Sequence, residues 1–227
     1  MGNPVEIEFA VNLSVPKNRQ KELAVVQMRP LAVSTELEEL DIDGYEDEEL
    51  ICTSNFVMGN GSNTGIKDII FVHKDEYDRS QSRETAIDIG YFNKKLVGQE
   101  KEYLLVGVGR WGTLDPWLGI PITWEQISGA KAIVETNFKD FDVEPSQGSH
   151  FFQNLTSFKV GYFTVHRNIG NGFVDWAWLG EQRVAERKGS VAHITLKTPI
   201  NVKINGRENK GVIGKPVKSV GVKKRKK

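Results

Sequence analysis

The chain has 227 residues, 39% apolar and 26% charged, which is enough for one or two domains and typical of a soluble globular protein. No apolar run approaches the roughly eighteen residues that a membrane-spanning helix needs, so we expect no membrane partner. The single cysteine, Cys52, excludes an internal disulfide and favours a reducing cytoplasm, and the scattered histidines show no metal-ligand spacing.

The first predicted element is a β-hairpin. Residues 4–11 alternate apolar and acidic side chains with a period of two, which predicts a strand with one apolar and one acidic face. Residues 23–30 predict a second strand, which Pro30 ends. Pairing of the two strands would bring four polar side chains onto one surface, namely Glu6, Glu8, Gln27 and Arg29. Carboxylates are hard ligands for Mg²⁺, and a guanidinium presents a planar fork of donors to phosphate.

These strands resemble the last two strands of the ATP-grasp domain in phosphoenolpyruvate synthase and pyruvate phosphate dikinase. The matching segments are Gly2-Asn3-Pro4-Val5-Glu6-Ile7-Glu8-Phe9-Ala10 and Val26-Gln27-Met28-Arg29-Pro30-Leu31. In that family the acidic pair and the Gln-x-Arg-Pro strand lie on ATP and its metal. The resemblance therefore implies that Glu6 and Glu8 bind Mg²⁺ and that all four polar residues contact ATP. The alternative is an amphipathic hairpin with a solvated acidic face.

A linker and a glycine-rich segment follow the hairpin. Residues 36–49 are dominated by Asp and Glu, which predicts an acidic linker with one short helical turn at Leu37–Leu40. Residues 56–58 predict a short strand, and the glycines of residues 59–65 favour a tight hairpin turn. A phosphate-binding loop is the alternative, but the segment lacks the P-loop lysine.

Strands and helices then alternate, which predicts an α/β domain over residues 50–213. The predicted helix over residues 80–96 repeats its apolar positions every three or four residues. Shorter helices are predicted over 123–129 and 149–155. Strands are predicted over residues 68–73, 102–109, 130–135, 160–165, 193–197 and 200–204.

Two further segments are candidates for chemistry, residues 107–116 and 144–155. Arg110 follows a glycine turn, where a guanidinium binds phosphate or carboxylate, pairs with Asp115, or stacks on a tryptophan. In the second segment, Ser149 is placed to cap a helix that His150 opens. A helix N-terminus disfavours an imidazolium, which leaves a neutral, nucleophilic ring.

The order of elements around His150 resembles the swivelling phosphohistidine domain of the same dikinase family. There a Gly-Gly-x-x-Ser-His segment presents the histidine that shuttles phosphate between active sites. The resemblance implies that His150 is the phosphate carrier and Ser149 its cap. This chain departs from the pattern, because Ser146-Gln147-Gly148 replaces the paired glycines and Phe151-Phe152 replaces small alanines. The alternative for His150 is a structural residue with one hydrogen bond.

Together these resemblances imply an α/β chain with a swivelling β/β/α-type domain, preceded by a β-hairpin remnant of an ATP-grasp domain. The predicted boundaries are 1–35 for the ATP-grasp strands, 36–49 for the linker, 50–213 for the swivelling domain and 214–227 for a basic, disordered tail. The tail has no interleaved aromatic residues, so nucleic acid is not an expected partner.

The implied function is phosphotransfer in a dikinase-like parent enzyme. ATP and Mg²⁺ would be its cofactors, and the partners would be the remainder of the ATP-grasp domain and a phosphate acceptor such as pyruvate. This portion alone is expected to be inactive, since it lacks the glycine loop and lysine that hold the nucleotide from the other side. The alternative function is a non-catalytic binding or regulatory module.

Overall fold

In the computed structural model the chain divides into two compact units, residues 1–37 and 38–227. The structure describes residues 5–30, 42, 44–138, 143–146, 149–166 and 169–216. The helical turn predicted at Leu37–Leu40 and the basic tail from residue 217 onward lie outside the described residues.

The first unit contains the predicted hairpin. Strand β1 (Val5–Asn12) pairs antiparallel with β2 (Glu22–Pro30). Residues directly opposite one another project from the same face of a sheet. Glu6 lies opposite Arg29 and Glu8 opposite Gln27, so the backbone register places these four positions on one face. The predicted pairing and face assignment are confirmed.

A β-bulge at Val26 keeps the two faces of the hairpin distinct. Glu8 pairs with Gln27 and Phe9 pairs with Val25, which leaves Val26 as the extra residue of β2. Strict alternation along β2 would have placed Leu23 and Val25 with the polar residues. The bulge instead returns both to the apolar face, whose described members are all exposed: Ile7, Phe9, Val11, Leu23, Val25 and Met28.

The second unit is mixed α/β, with most of its elements in sheets and few helices. Its strands are β3 (Leu50–Ser54), β4 (Val57–Met58), β5 (Asn60–Asn63), β6 (Asp68–Val72), β7 (Tyr103–Val108), β8 (Arg110–Trp111), β9 (Gly119–Ile120), β10 (Ala130–Thr136), β11 (Gly161–Val165), β12 (Gly172–Val174), β13 (Val184–Lys188), β14 (Val191–Thr195), β15 (Asn201–Asn205) and β16 (Lys210–Gly214). Its helices are α1 (Ser82–Val97), α2 (Ser149–Ser157) and α3 (Trp176–Glu181).

Two sheets and a helical layer form the core of this unit. The larger sheet has the order β13-β14-β6-β7-β10-β11-β4, and its four central strands β6, β7, β10 and β11 run parallel. The smaller sheet has the order β12-β3-β16-β15-β5. Along β6, Ile70 and Val72 pack with the residues of α1 and α2, whereas Ile69 and Phe71 pack with the smaller sheet. The larger sheet is therefore covered on both faces, which explains its apolar central strands.

Helix α1 confirms the helix predicted from its periodicity. Thr85, Ile89, Phe92 and Leu96 recur at three- and four-residue spacing, and all four side chains are buried. None of the helices in the described ranges is long and apolar enough to cross a membrane.

Two local predictions were wrong. The glycine-rich segment after Met58 is the strand β5 rather than a hairpin turn, because β4 and β5 pair with different sheets. Gly59, with φ +110°, makes the corner between them. The helix predicted over 123–129 is only a 3₁₀ turn at Trp124–Gln126, where the Gln126 side chain accepts a hydrogen bond from the Thr123 amide.

Candidate functional site

The carboxyl ends of the parallel strands carry a buried carboxylate, Glu135, near the end of β10. Its Oε2 accepts hydrogen bonds from the Tyr162 hydroxyl at 2.5 Å and from the Trp111 amide at 3.3 Å. Its Oε1 accepts from the Ser146 amide at 3.0 Å. The Ser146 hydroxyl in turn donates to the Trp111 carbonyl at 2.8 Å. We call these four residues the Glu135 clamp.

The clamp joins the two segments that the sequence singled out. Trp111 belongs to residues 107–116 and Ser146 to residues 144–155, and one carboxylate holds a backbone amide from each. Such convergence is characteristic of α/β sheets, where the loops after parallel strands meet at one edge. Sequence reasoning missed Glu135 and Tyr162. The available signal was a glutamate inside an apolar strand, where an ionisable group needs partners.

Burial dominates the electrostatics of the clamp. It raises the pKa of Glu135, and the hydrogen bonds from Tyr162, Ser146 and Trp111 offset this only in part. Burial, together with the adjacent Glu135 charge, also raises the pKa of the Tyr162 hydroxyl, which therefore remains a hydrogen-bond donor. The carboxylate is thus held mainly by neutral donors.

We call residues 109–118, which follow β7 and include the two-residue strand β8, the Trp111 loop. Glycines allow this loop to lie against the sheet. The Trp111 ring packs on Gly107, where an added Cβ would lie 2.3 Å from Trp111 Cζ2, and its indole Nε1 donates to the Val134 carbonyl at 3.1 Å. Gly109 adopts φ +72°, and a Cβ there would lie 2.4 Å from Phe138 Cζ. Only glycine fits these positions, so the loop backbone has little freedom.

Arg110 lies in this loop and contacts the other candidate segment. Its Nε donates to the Glu144 carbonyl at 2.6 Å, while Nη2 lies 3.9 Å from the exposed Glu144 carboxylate. The ion pair of Arg110 is thus with Glu144 rather than with Asp115, whose Oδ1 accepts from the Trp117 amide. The Nε bond fixes the guanidinium and leaves its Nη groups with a long contact to a solvated carboxylate.

His150 lies in the first turn of α2, which begins at Ser149 as the sequence predicted. The side chains of Ser149 and His150 lie outside the described residues, so the predicted cap stays a prediction. The next residue, Phe151, is buried: it packs against Gly112, where a Cβ would lie 3.0 Å from its ring, and against Tyr162 at 6.1 Å between centroids. The residue that follows His150 is therefore in contact with Tyr162 of the clamp.

The hairpin in the first unit carries the other predicted site residues. The register brings Glu6, Glu8, Gln27 and Arg29 to one face, where Glu8 and Gln27 are exposed. Mg²⁺ typically takes one or two carboxylates and completes its shell with water and phosphate, so this donor set fits the metal. Among the described side chains, no group of three or more His, Cys, Asp and Glu could hold a metal ion.

A second buried carboxylate, Asp68, lies at the opposite edge of the larger sheet, where the parallel strands have their amino ends. Its Oδ1 accepts from His193 Nε2 at 2.8 Å and from the Thr195 hydroxyl at 2.7 Å, and its Oδ2 lies 3.9 Å from Lys101 Nζ. Burial opposes ionisation of Asp68, but these hydrogen bonds and the Lys101 charge lower its pKa overall. All of these groups come from the strand opposite or from the turn before β7.

Comparison with protein-family models, curated proteins and solved structures found no match to this chain.

Proposed function

We propose that this chain is part of a dikinase-like, ATP-dependent phosphotransferase in which His150 carries the phosphoryl group. The observation that carries the proposal is the register of the hairpin, which sets Glu6 and Glu8 directly opposite Arg29 and Gln27. That pattern combines carboxylates for a metal with a guanidinium for phosphate on one surface. The exposed apolar side of the same hairpin supports a partner, since a hairpin alone is marginally stable.

In this proposal the second unit is a swivelling domain that presents His150. The start of α2 at Ser149 supports it, because the free amides of a first helical turn favour the anionic phosphoryl group. An imidazole nitrogen of His150 forms a bond to a phosphorus atom of ATP while the bridging P–O bond breaks, and the leaving group keeps that oxygen. Glu6 and Glu8 would hold Mg²⁺, which would supply positive charge to neutralise phosphoryl oxygens. The Arg110 guanidinium, which contacts Glu144 in the segment before α2, would bind the transferred anion.

The test is phosphate transfer in the presence of the remaining ATP-grasp domain. The chain is mixed with that separately expressed domain and with Mg-ATP labelled at both the β- and γ-phosphates, and acid-labile label on the chain is measured. We expect label that His150→Ala abolishes and His73→Ala leaves unchanged. Absence of label while ATP binding is demonstrated would refute the proposal. A further arm with pyruvate tests it as the acceptor, since transfer should remove the label.

A second candidate function is a non-catalytic binding or regulatory module. The observation in its favour is the aromatic packing at the start of α2. Phe151 and Phe152 lie edge-to-face with one another and with Tyr162, where the swivelling family has small residues. This packing fills space beside His150. If the chain binds the ATP-grasp domain but acquires no phosphate label from Mg-ATP, that result would favour this function.

A further inference from the structure

We propose that Glu135 is the positioning residue for His150, an inference that rests on the proposed function of His150 as a phosphate acceptor. Glu135 is 1% exposed and has three hydrogen-bond donors, two of which are backbone amides in separate loops. A buried carboxylate that binds backbone amides fixes the chain itself rather than another side chain. Its effect therefore extends to the residues that follow those amides.

Two separate contacts lead from Glu135 to the backbone around His150. On one side, Glu135 holds the amide of Ser146, three residues before α2 begins at Ser149. On the other side, Phe151 is packed against Gly112, the residue that follows Trp111 of the clamp.

Tyr162 closes this arrangement. Its hydroxyl donates to Glu135, and its ring packs against Phe151 with the ring planes 79° apart. The Trp111 amide and the Tyr162 hydroxyl share Oε2 of Glu135, so the packing around Phe151 depends on that one oxygen. Removing the charge from Glu135 would weaken both contacts that lead to the backbone around His150, the one through Ser146 and the one through Phe151. A change in either loop alone would weaken only one of them.

The same clamp also holds Arg110 between the two loops. Arg110 directly precedes Trp111, and its Nε binds the carbonyl of Glu144, two residues before Ser146. The guanidinium is thus attached to both loops. Phosphoryl transfer is steeply sensitive to the placement of the acceptor and of anion-binding groups, so a small loss of order at the clamp should appear as a loss of rate.

The test uses phosphoramidate, a small phosphoryl donor that needs no ATP-grasp domain. An imidazole nitrogen bonds to its phosphorus, the original P–N bond breaks, and the departing ammonia takes up a proton. Site-resolved mass spectrometry follows phosphorylation of His150 and, as an internal reference, of His73. We expect Glu135→Gln to lower the His150 rate at least fivefold relative to His73, because a glutamine orphans one of the two backbone amides.

Two variants separate positioning from general destabilisation. Asp68→Asn changes the buried carboxylate at the other sheet edge, and it should leave the His150-to-His73 ratio within a factor of two. Tyr162→Phe removes one of the three donors to Glu135 but keeps both amide bonds, so it should lower the His150 rate less than Glu135→Gln does. General loosening of the fold would raise modification at every buried histidine instead of lowering it at His150 alone.

An unchanged ratio in Glu135→Gln overturns the inference, as does a wild-type chain in which phosphoramidate leaves His150 unmodified. Equal ATP-derived label on wild type and Glu135→Gln would also overturn it while leaving the proposed function intact. Conversely, a clamp-dependent reaction with phosphoramidate but no label from Mg-ATP would refute the dikinase function and retain Glu135 as the positioning residue.

Discussion

The two edges of the larger sheet each bury one carboxylate, and the two sites differ in what they hold. Glu135, at the carboxyl ends of the parallel strands, is 1% exposed, and Asp68, at their amino ends, is 3% exposed. Their pKa values nevertheless shift in opposite directions, upward for Glu135 and downward for Asp68. Burial acts on both, so the partners decide the sign.

The difference lies in the chemistry of those partners. Asp68 has a histidine, a hydroxyl and a lysine charge, which together outweigh its desolvation. Glu135 has two backbone amides and a neutral phenol, which do not outweigh it. Asp68 fastens β6 to its neighbour β14, where Thr195 is its cross-strand partner. Glu135 instead fastens loops, and loops are where α/β proteins place their functional groups.

The largest expected effect is the loss of the Glu135 side chain. Glu135→Ala leaves the Trp111 and Ser146 amides and the Tyr162 hydroxyl without their acceptor, and each buried unsatisfied group costs about 1–3 kcal/mol. We therefore expect the free energy of unfolding in urea to fall by about 3 kcal/mol or more. The exposed Glu84→Ala in α1 is the control and should change it little. A loss below about 1 kcal/mol would show that water replaces the clamp.

The next largest loss of stability is expected where the Trp111 ring packs on Gly107, beside Glu135. Gly107→Ala places a methyl group 2.3 Å from the buried Trp111 ring, so the ring or its loop must shift. We expect a loss of about 1–3 kcal/mol, as for other overpacked cores, together with a change in Trp111 fluorescence. Gly180→Ala in α3 is the matched control, because no atom lies within 4 Å of the added Cβ. Equal stability of the two variants would contradict the packing argument.

A smaller effect is expected at the opposite edge. Asp68→Asn keeps an oxygen that can accept from His193 and Thr195 but removes the charge that strengthens both hydrogen bonds. The free energy of unfolding should fall by about 1–2 kcal/mol. The amide of Trp111 should keep its wild-type hydrogen exchange, which a change at Glu135 should accelerate. The exposed Asp47→Asn serves as the control, and accelerated exchange at Trp111 in Asp68→Asn would contradict the separation of the two edges.

The smallest effect is the pH dependence of stability, where the two sites should have opposite signs. Asp68 has a lowered folded pKa, so its contribution is present above its ordinary value of 3.8 and is lost as pH falls through the folded value. Glu135 has a raised folded pKa, so stability declines as pH rises from its ordinary 4.5 through the folded value.

The difference in unfolding free energy between wild type and each variant, followed against pH, isolates the contribution of each carboxyl group. Wild-type stability minus that of Asp68→Asn should decrease below about pH 4, and wild type minus Glu135→Gln should decrease as pH rises above about 4.5. Urea unfolding at a series of pH values measures both. Difference profiles with the same sign would show that the charge environments of the two edges are alike.

Local patterns were sufficient for much of the fold. The period of two in residues 4–11 predicted β1, and the three- and four-residue spacing of Thr85, Ile89, Phe92 and Leu96 predicted α1. Both patterns arise from the geometry of one element and need no knowledge of its neighbours. The start of α2 at Ser149 was likewise available from residue types alone.

The remaining features depended on partners distant in the chain. Val26 is a bulge only because Phe9 pairs with Val25, and the glycine-rich β5 is a strand only because β15 pairs with it. Glu135 and Tyr162 occupy ordinary strand positions, and their contact spans 27 residues. Periodicity cannot predict such pairs. It indicates which face of an element is buried, but not which residue of another element packs against that face.

By itself the sequence determined the alternation of strands and helices, the polar face of the hairpin and the two segments around Arg110 and His150. Only the tertiary structure decided that these two segments meet, because parallel strands bring the loops after β7 and β10 to one edge of the sheet. It also decided that the pKa of Glu135 is raised and that of Asp68 is lowered. The pKa of a buried carboxylate depends on which donors surround it, and those donors come from other strands and loops.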